Sequence, residues 1–389
     1  MARLARGLVD PFAEAQAAVR RIEGSPLGPI AQELSKAIEA AKQSPSPGEM
    51  SPEQLARLAR YITEIVSPLP RSYGDRFWFD AGLIRAMSGD WSDGKLFSSM
   101  IIPCYETQWG YARFPMPLSE VCSASTPGHS NIVELIFLPK ADDLAQVALL
   151  DYPWIAHELA HSLMFRYDTV LLPLIRPVIE AALQKRRLAA IADRGRAQAL
   201  SQRALREFST FWMPTVDHGN WSHELNADLI AFWVLGAPYL AVFEDLLGDD
   251  SQNPYQVSTV HPPYEVRVTA LLRAASRLRL AEQTTALKNV LAGWASSRWH
   301  SAKSNRYRSL AAVEVIDGLI DGAFRFCEQL NLRRWPNRVA DSAKWDCDVC
   351  ELGTDLLTTA WEIYSHKGQD GYRKWEEQTV AALADCLRQ

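Results

Sequence analysis

The strongest constraint on the fold is a pair of histidines, His157 and His161, within the helix-favouring apolar run from Trp154 to Met164. At about 3.6 residues per turn, side chains four positions apart project from the same face of a helix. Both imidazoles can therefore reach a single metal ion, while Glu158 lies roughly 100° around the helix, beside a water molecule on that metal. The spacing predicts a helix that carries two metal ligands and one further carboxylate.

This His-Glu-x-x-His pattern is typical of zinc hydrolases. Zinc lowers the pKa of its bound water, the carboxylate of Glu158 takes the proton, and the resulting hydroxide attacks a polarised carbonyl. The longer metzincin pattern is absent, because Met164 and Tyr167 occupy the positions at which it requires Gly and His. The alternative interpretation is a pair of structural histidines on a buried helix. A third ligand decides between the two.

A second predicted helix offers that ligand. It begins near Ser222, after a polar and aromatic turn, and it carries Glu224 and Asp228 on one face of an otherwise apolar segment. Two carboxylates at the head of a helix suited to burial are costly unless a charged group meets them. We expect Glu224 to bind zinc, and we expect Asp228 to accept the free ring N–H of His157, which fixes its tautomer.

Other arrangements of this segment stay open. The two acidic residues could lie in a solvated first turn, where carboxylates favour the helix macrodipole. His223 is adjacent in sequence but points about 100° away from Glu224, and His218 belongs to the preceding loop. Both histidines are therefore alternative third ligands.

A third segment of interest is His261-Pro262-Pro263. An imidazole near the zinc could donate a hydrogen bond to the oxyanion of a tetrahedral intermediate, and His261 is the candidate for that role. Tyr264 is a weaker candidate for the same role. Alternatively, the segment only begins the helix that follows, with proline in its first turn.

In order along the chain, HELAH at 157–161, ELNAD at 224–228 and HPPYEVR at 261–267 resemble the three sequence blocks of the CAAX prenyl-protease and HtpX peptidase family. That family consists of integral-membrane zinc endopeptidases of the gluzincin type. The resemblance covers roughly residues 130–280. It implies zinc on His157, His161 and Glu224, Glu158 as base, Asp228 behind the ligands, His261 lining the site and Arg267 bracing the substrate cleft.

Two departures limit the resemblance. The flanking membrane helices of the family are missing, and about sixty residues separate His161 from Glu224, where a much shorter link is usual. The membrane and prenyl-peptide assignments are therefore not carried over. HELAH with the ExxAD motif and Pro238 also resembles the ImmA/IrrE regulatory peptidases, but the His-Pro-Pro block favours the first family.

The organisation of the chain predicts an α+β fold that is mainly α-helical. From about residue 68 to residue 140, Gly, Pro and aromatic residues break the helical period, and short β-rich runs at 97–103 and 132–138 predict a small mixed β-sheet. We expect a zincin-like metallopeptidase domain over 68–300, with this sheet and the two zinc-binding helices. Helical regions over 1–67 and 301–389 flank it.

The N-terminal region has clear helix starts. Asp10-Pro11 and Ser51-Pro52 can each cap and begin a helix, and residues 44–48 between them form a loop or short linker rich in Pro and Ser. These helices could form a separate lobe.

Composition restricts the partners and the compartment. The net charge of −5 and the pI near 6.0 provide no basic field for nucleic acid. The longest uncharged apolar stretch, 229–243, contains Gly236 and Pro238 and is short for a membrane span. The N-terminus lacks signal-peptide features, and the cysteines lack framework spacing, so we expect a cytoplasmic protein. Cys347 and Cys350 are best interpreted as reduced structural thiols.

Three questions stay open at this stage. The run at 131–138 is either a sheet edge that pairs with an extended peptide or an interior strand. The insert at 162–223 contains two predicted helices that either cover the cleft or serve as scaffold. The function is either hydrolysis of a peptide or protein substrate, or a zinc-binding regulatory or interaction role on a silent or latent peptidase scaffold.

Overall fold

The computed structural model describes most of the 389-residue chain. Several features named in the sequence analysis lie outside the described residues. They are the second predicted N-terminal helix, the predicted linker at 44–48, His218, Cys347 and Cys350. The described residues are 11–23, 31–32, 35, 39, 69–91, 96–97, 101–106, 110–113, 134–139, 148–192, 196–214, 220–247, 253–280, 282–296, 307, 310–335 and 353–388.

The described strands form one small mixed sheet. They are β1 (Ile101–Glu106), β2 (Gly110–Arg113) and β3 (Glu134–Pro139). β3 lies in the centre, parallel to β1 and antiparallel to β2. The two predicted β-rich runs overlap β1 and β3, which supports the predicted mixed sheet. The interpretation of the run at 131–138 as a sheet edge is wrong, because β3 has a hydrogen-bonded neighbour on each side, and β2 is an edge strand instead.

Helices make up most of the rest of the described chain, so the predicted mainly helical α+β fold is confirmed. The α-helices are α1 (Pro11–Ile22), α2 (Leu69–Asp90), α3 (Pro153–Arg166), α4 (Asp168–Ala192), α5 (Arg196–Trp212), α6 (Trp221–Leu235), α7 (Ala237–Leu247), α8 (Tyr264–Arg277), α9 (Thr285–Ser296), α10 (Val313–Gln329) and α11 (Gly353–Arg388). Short 3-10 helices lie at Leu149–Asp151 and Glu282–Thr284.

Helices α3 and α6 pack against each other at the centre of the molecule. Pro153 begins α3, where its missing N–H costs nothing. Asn220 caps α6, because its side-chain oxygen accepts from the backbone N–H groups of Ser222 and His223. Every residue of α6 is buried, and Gly236, with φ of 58°, ends the helix. A helix that is buried on all sides must be surrounded by other elements.

The insert between the two central helices forms α4 and α5. Helix α4 packs closely on α10, where a Cβ added to Gly318 would lie 2.2 Å from a side-chain atom of Val178. Helix α5 packs on α4 and places Phe208, Phe211 and Trp212 in the core. The described part of the insert therefore packs as scaffold.

The C-terminal helix is tied to the region before the sheet. α11 packs against α2 and against the 3-10 helix at Leu149–Asp151. At the start of α11, the N–H of Thr354 donates to the carboxylate of Asp90 at 2.8 Å. A Cβ on Gly353 would lie 2.3 Å from the backbone nitrogen of Met87, so the two helices approach each other closely there. None of the described helices is long and apolar enough to cross a membrane.

Candidate metal centre

The two central helices bring three candidate ligands together. The Nε2 atoms of His157 and His161 lie 3.1 Å apart. Nε2 of His157 lies 3.5 Å from Oε2 of Glu224, and Nε2 of His161 lies 3.5 Å from Oε1 of the same carboxylate. Three ligands at the corners of a tetrahedron around zinc, with bonds of about 2.0–2.1 Å, are separated by roughly 3.3 Å. The two imidazole nitrogens are close to this separation, and the ligand atoms of all three residues lie within 4.8 Å of one another, so the group could hold a metal ion.

A buried carboxylate fixes the first ligand from behind. Asp228 is fully buried, and its Oδ1 lies 2.9 Å from Nδ1 of His157. Because a carboxylate can only accept, this contact places a ring proton on Nδ1. The nitrogen that can bind a metal, once it is deprotonated, is therefore Nε2, the atom that faces His161 and Glu224. This is the contact expected from the sequence.

Two further donors hold Asp228. Arg267 donates from Nε to Oδ2 at 2.8 Å and from Nη2 to Oδ1 at 2.7 Å. The hydroxyl of Tyr239 donates to Oδ1 at 2.7 Å. Arg267 is buried behind Asp228 and is not among the described residues that line the cavity. Arg267 therefore supports the ligand His157 indirectly, through Asp228. The role that the resemblance implied for it, bracing the substrate cleft, stays a prediction.

The charges of the site favour a divalent cation. When ionised, the buried side chains of Glu158, Glu224 and Asp228 carry three negative charges, against one positive charge on buried Arg267. Buried charge without a partner is strongly unfavourable. A doubly charged metal ion between the histidines and Glu224 would bring the total to zero.

The pKa values of the two histidines move in opposite directions without a metal. Burial works to lower the pKa of His157, but its hydrogen bonds to Asp228 and Glu224 outweigh this and raise the pKa to about 10. Burial lowers the pKa of His161 to about 3, although the charge of Glu224 works in the opposite direction. In the metal-free site His157 is therefore positively charged. Its second proton lies on Nε2, in the region where a cation would bind.

The carboxylates also differ. Burial would raise the pKa of Glu224, but the hydrogen bond with His157 lowers it, so this carboxylate stays ionised. Burial would likewise raise the pKa of Asp228, but the charge of Arg267 lowers this pKa to about 2. Burial raises the pKa of Glu158 to about 7, with the charge of His157 opposing the rise. Glu158 can therefore exchange a proton near neutral pH.

The three candidate ligands face a cavity of about 300 Å³. Its wall includes Glu158, two apolar residues of α3, one residue of the edge strand β2, and part of the loop before α8. The two apolar residues of α3 are Met164 and Phe165, the β2 residue is Gly110, and the loop contributes Val260 and His261. No described residue of α4 or α5 lines it, so the described part of the insert does not cover the cleft.

The remaining candidates take different positions. The His261 side chain is 61% exposed, lines the cavity and places Nε2 3.7 Å from Oε2 of Glu224. His223 also lines the cavity, but its Nδ1 lies 3.2 Å from Oδ1 of Asn220. Among the described residues, His223 does not belong to the group of potential metal ligands. Tyr264 packs against the core and is not among the described lining residues.

No protein-family model, curated protein or solved structure matches this chain. The assignment of the metal centre therefore rests on the distances, burial and charges given above. The resemblance of the three motifs to one peptidase family stays an interpretation of the sequence.

Two residues that support the site could not be identified from the sequence. Glu134 of the central strand accepts hydrogen bonds from Ser162 at 2.9 Å and from Arg166 at 3.3 Å, which ties the helix of the two histidines to the sheet. Tyr239 reaches Asp228 from the next helix, beyond the bend at Gly236. Neither contact has a spacing signal in the sequence, because each joins separate elements.

Proposed function

We propose that the protein is a zinc-dependent peptidase that hydrolyses bonds in a peptide or protein substrate. The observation that supports this most is the geometry of His157, His161 and Glu224, whose ligand atoms lie within 4.8 Å of one another at the wall of a cavity. Glu158 lines the same cavity and is not one of the three donors. A purely structural zinc site has no need of that extra carboxylate.

The proposed roles follow from the positions of the side chains. Zinc, when bound, would polarise the scissile carbonyl and lower the pKa of a water molecule in the cavity. Glu158 takes a proton from the attacking water and passes it to the leaving amine. The exposed imidazole of His261 donates a hydrogen bond to the oxyanion.

The cavity also suits an extended peptide. Gly110 of the edge strand β2 lines it, and β2 pairs with β3 on one side only among the described strands. Edge strands can bind a peptide by main-chain hydrogen bonds. Met164, Phe165 and Val260 offer apolar contacts to a substrate side chain. In this proposal the sheet, α3 and α6 form the zincin-like core.

The test is the substitution Glu158→Gln, with cleavage of a fluorogenic peptide library as the assay and elemental analysis for zinc content. Glutamine keeps the size of the side chain but cannot take a proton, so zinc should be retained while turnover falls about 10²- to 10⁴-fold. Glu180→Gln, at an exposed position of α4, serves as the matched control and should change neither quantity.

Two results would contradict the proposal. A Glu158→Gln protein that retains zinc and cleaves peptides as fast as the wild type would remove the proposed base. A wild-type protein that binds zinc but cleaves no member of the library, even with candidate partners added, would favour a zinc-binding regulatory or interaction protein.

A further inference from the structure

Tyr239 is a buried tyrosine next to the proposed metal centre, and its environment contains two polar groups of that centre. Its hydroxyl donates to Oδ1 of Asp228 at 2.7 Å and lies 3.2 Å from Nδ1 of His157. The residue is 0% exposed. The hydroxyl therefore contacts both the ligand and the carboxylate that orients it.

The direction of the hydrogen bonds follows from the chemistry of the groups. The carboxylate of Asp228 only accepts, so both the tyrosine hydroxyl and the Nδ1 proton of His157 point to the same oxygen. The tyrosine proton is then not available to Nδ1. This arrangement excludes the tautomer in which the lone pair lies on Nδ1 and the proton occupies Nε2, the atom that would bind a metal.

The ring of Tyr239 is held independently of its hydroxyl. It packs edge-on against Trp154 at 5.9 Å between ring centroids and against Phe243 at 5.5 Å. A phenylalanine at this position would keep these contacts. Removal of the hydroxyl alone therefore tests the polar role without a cavity.

We propose that Tyr239 is a positioning residue of the metal centre, whose hydroxyl holds Asp228 in the orientation that makes Nε2 of His157 a ligand. This inference rests on the proposed metal site, and not on peptide cleavage. It assigns part of the metal affinity to a residue on α7, outside the three sequence motifs. Arg267 holds the same carboxylate from another helix, so the two residues share this task.

The experiment compares Tyr239→Phe with Tyr105→Phe. Tyr105 is a matched control, because its buried hydroxyl donates at 2.7 Å to a buried aspartate, Asp80, which also accepts at 2.8 Å from an arginine, Arg76. That cluster contains none of the candidate ligands. The two substitutions therefore remove the same kind of hydrogen bond, once at the metal centre and once away from it.

The readout is the zinc dissociation constant, measured by competition with a chromophoric chelator. Contacts that orient a ligand from behind typically contribute 10- to 100-fold to metal affinity, so Tyr239→Phe should weaken zinc binding by about that factor. Tyr105→Phe should leave the affinity within about twofold of the wild type, because it does not touch the ligands. The visible absorption bands of bound Co²⁺ should change in Tyr239→Phe only.

Equal zinc affinity in Tyr239→Phe and the wild type would overturn the inference, and so would an equal loss in both variants. The thermal stability of the two metal-free variants provides the structural baseline, since both lose one buried hydrogen bond. A wild type that binds zinc tightly but cleaves no peptide would defeat the proposed function and leave this inference intact. A wild type that binds neither zinc nor Co²⁺ would overturn both.

Discussion

Asp228→Asn should be among the most destabilising single substitutions in the metal-free protein. The carboxylate is 0% exposed and neutralises the guanidinium of Arg267 through two hydrogen bonds of 2.7 and 2.8 Å. Asparagine keeps the size of the side chain but removes the charge, which leaves a buried cation unpaired. Breaking a buried ion pair in this way typically costs about 3–5 kcal/mol in the free energy of unfolding.

The measurement is urea unfolding with excess chelator, followed by circular dichroism and tryptophan fluorescence. Asp317→Asn is the matched control, because Asp317 also pairs with arginines, Arg273 and Arg277, but its side chain is 38% exposed. Exposed ion pairs contribute about 0–1 kcal/mol, so the control should unfold nearly as the wild type does.

A second variant separates charge from packing. Arg267→Met alone leaves the carboxylate of Asp228 buried without its cation and should also be costly. Added to Asp228→Asn, the same change should cost less than it does alone, because the double variant contains neither unpaired charge. If Asp228→Asn costs no more than Asp317→Asn, the buried pair does not stabilise the protein as argued.

Two further predictions concern metal binding and helix packing. Zinc affinity should rise about tenfold per pH unit between about pH 6 and 9. The pKa of metal-free His157 is about 10, so its Nε2 is protonated in this range and must lose that proton before it binds a cation. Chelator competition at several pH values measures this, and a flat profile would contradict it. Gly353→Ala should cost about 1–3 kcal/mol, because its Cβ would lie 2.3 Å from the backbone nitrogen of Met87. Gly89→Ala has open space at the Cβ position and should be neutral or stabilising, and urea unfolding compares the two.

The two histidine ligands of the candidate metal centre could be predicted from the sequence, because their spacing is a local feature of one helix. His157 and His161 lie on one helix, and the helical repeat alone places them on one face. The choice of Glu224 over His223 as third ligand needed a second argument. Two carboxylates on an otherwise apolar helix indicated a buried positive partner, and the structure places Glu224 3.5 Å from each histidine.

Other features could not be predicted because they depend on contacts between distant segments. The sequence pattern of β3 is the same whether it forms an edge or the centre of a sheet, and only the pairing with β1 and β2 decides this. The position of Arg267 behind Asp228 is likewise a contact between two helices, and the two residues lie 39 positions apart in the chain. Neither arrangement has a periodicity that a linear pattern could show.

The sequence alone determined the helical character of the chain, the spacing of the two histidines and the presence of surplus acidic groups on a buried helix. These follow from backbone geometry and from the cost of burying charge, which act over a few residues. Only the tertiary structure decided which atoms meet: Asp228 with Tyr239, β2 at the sheet edge beside the cavity, and an insert that packs as scaffold. Such contacts depend on the packing of whole elements, which nearby residues do not specify.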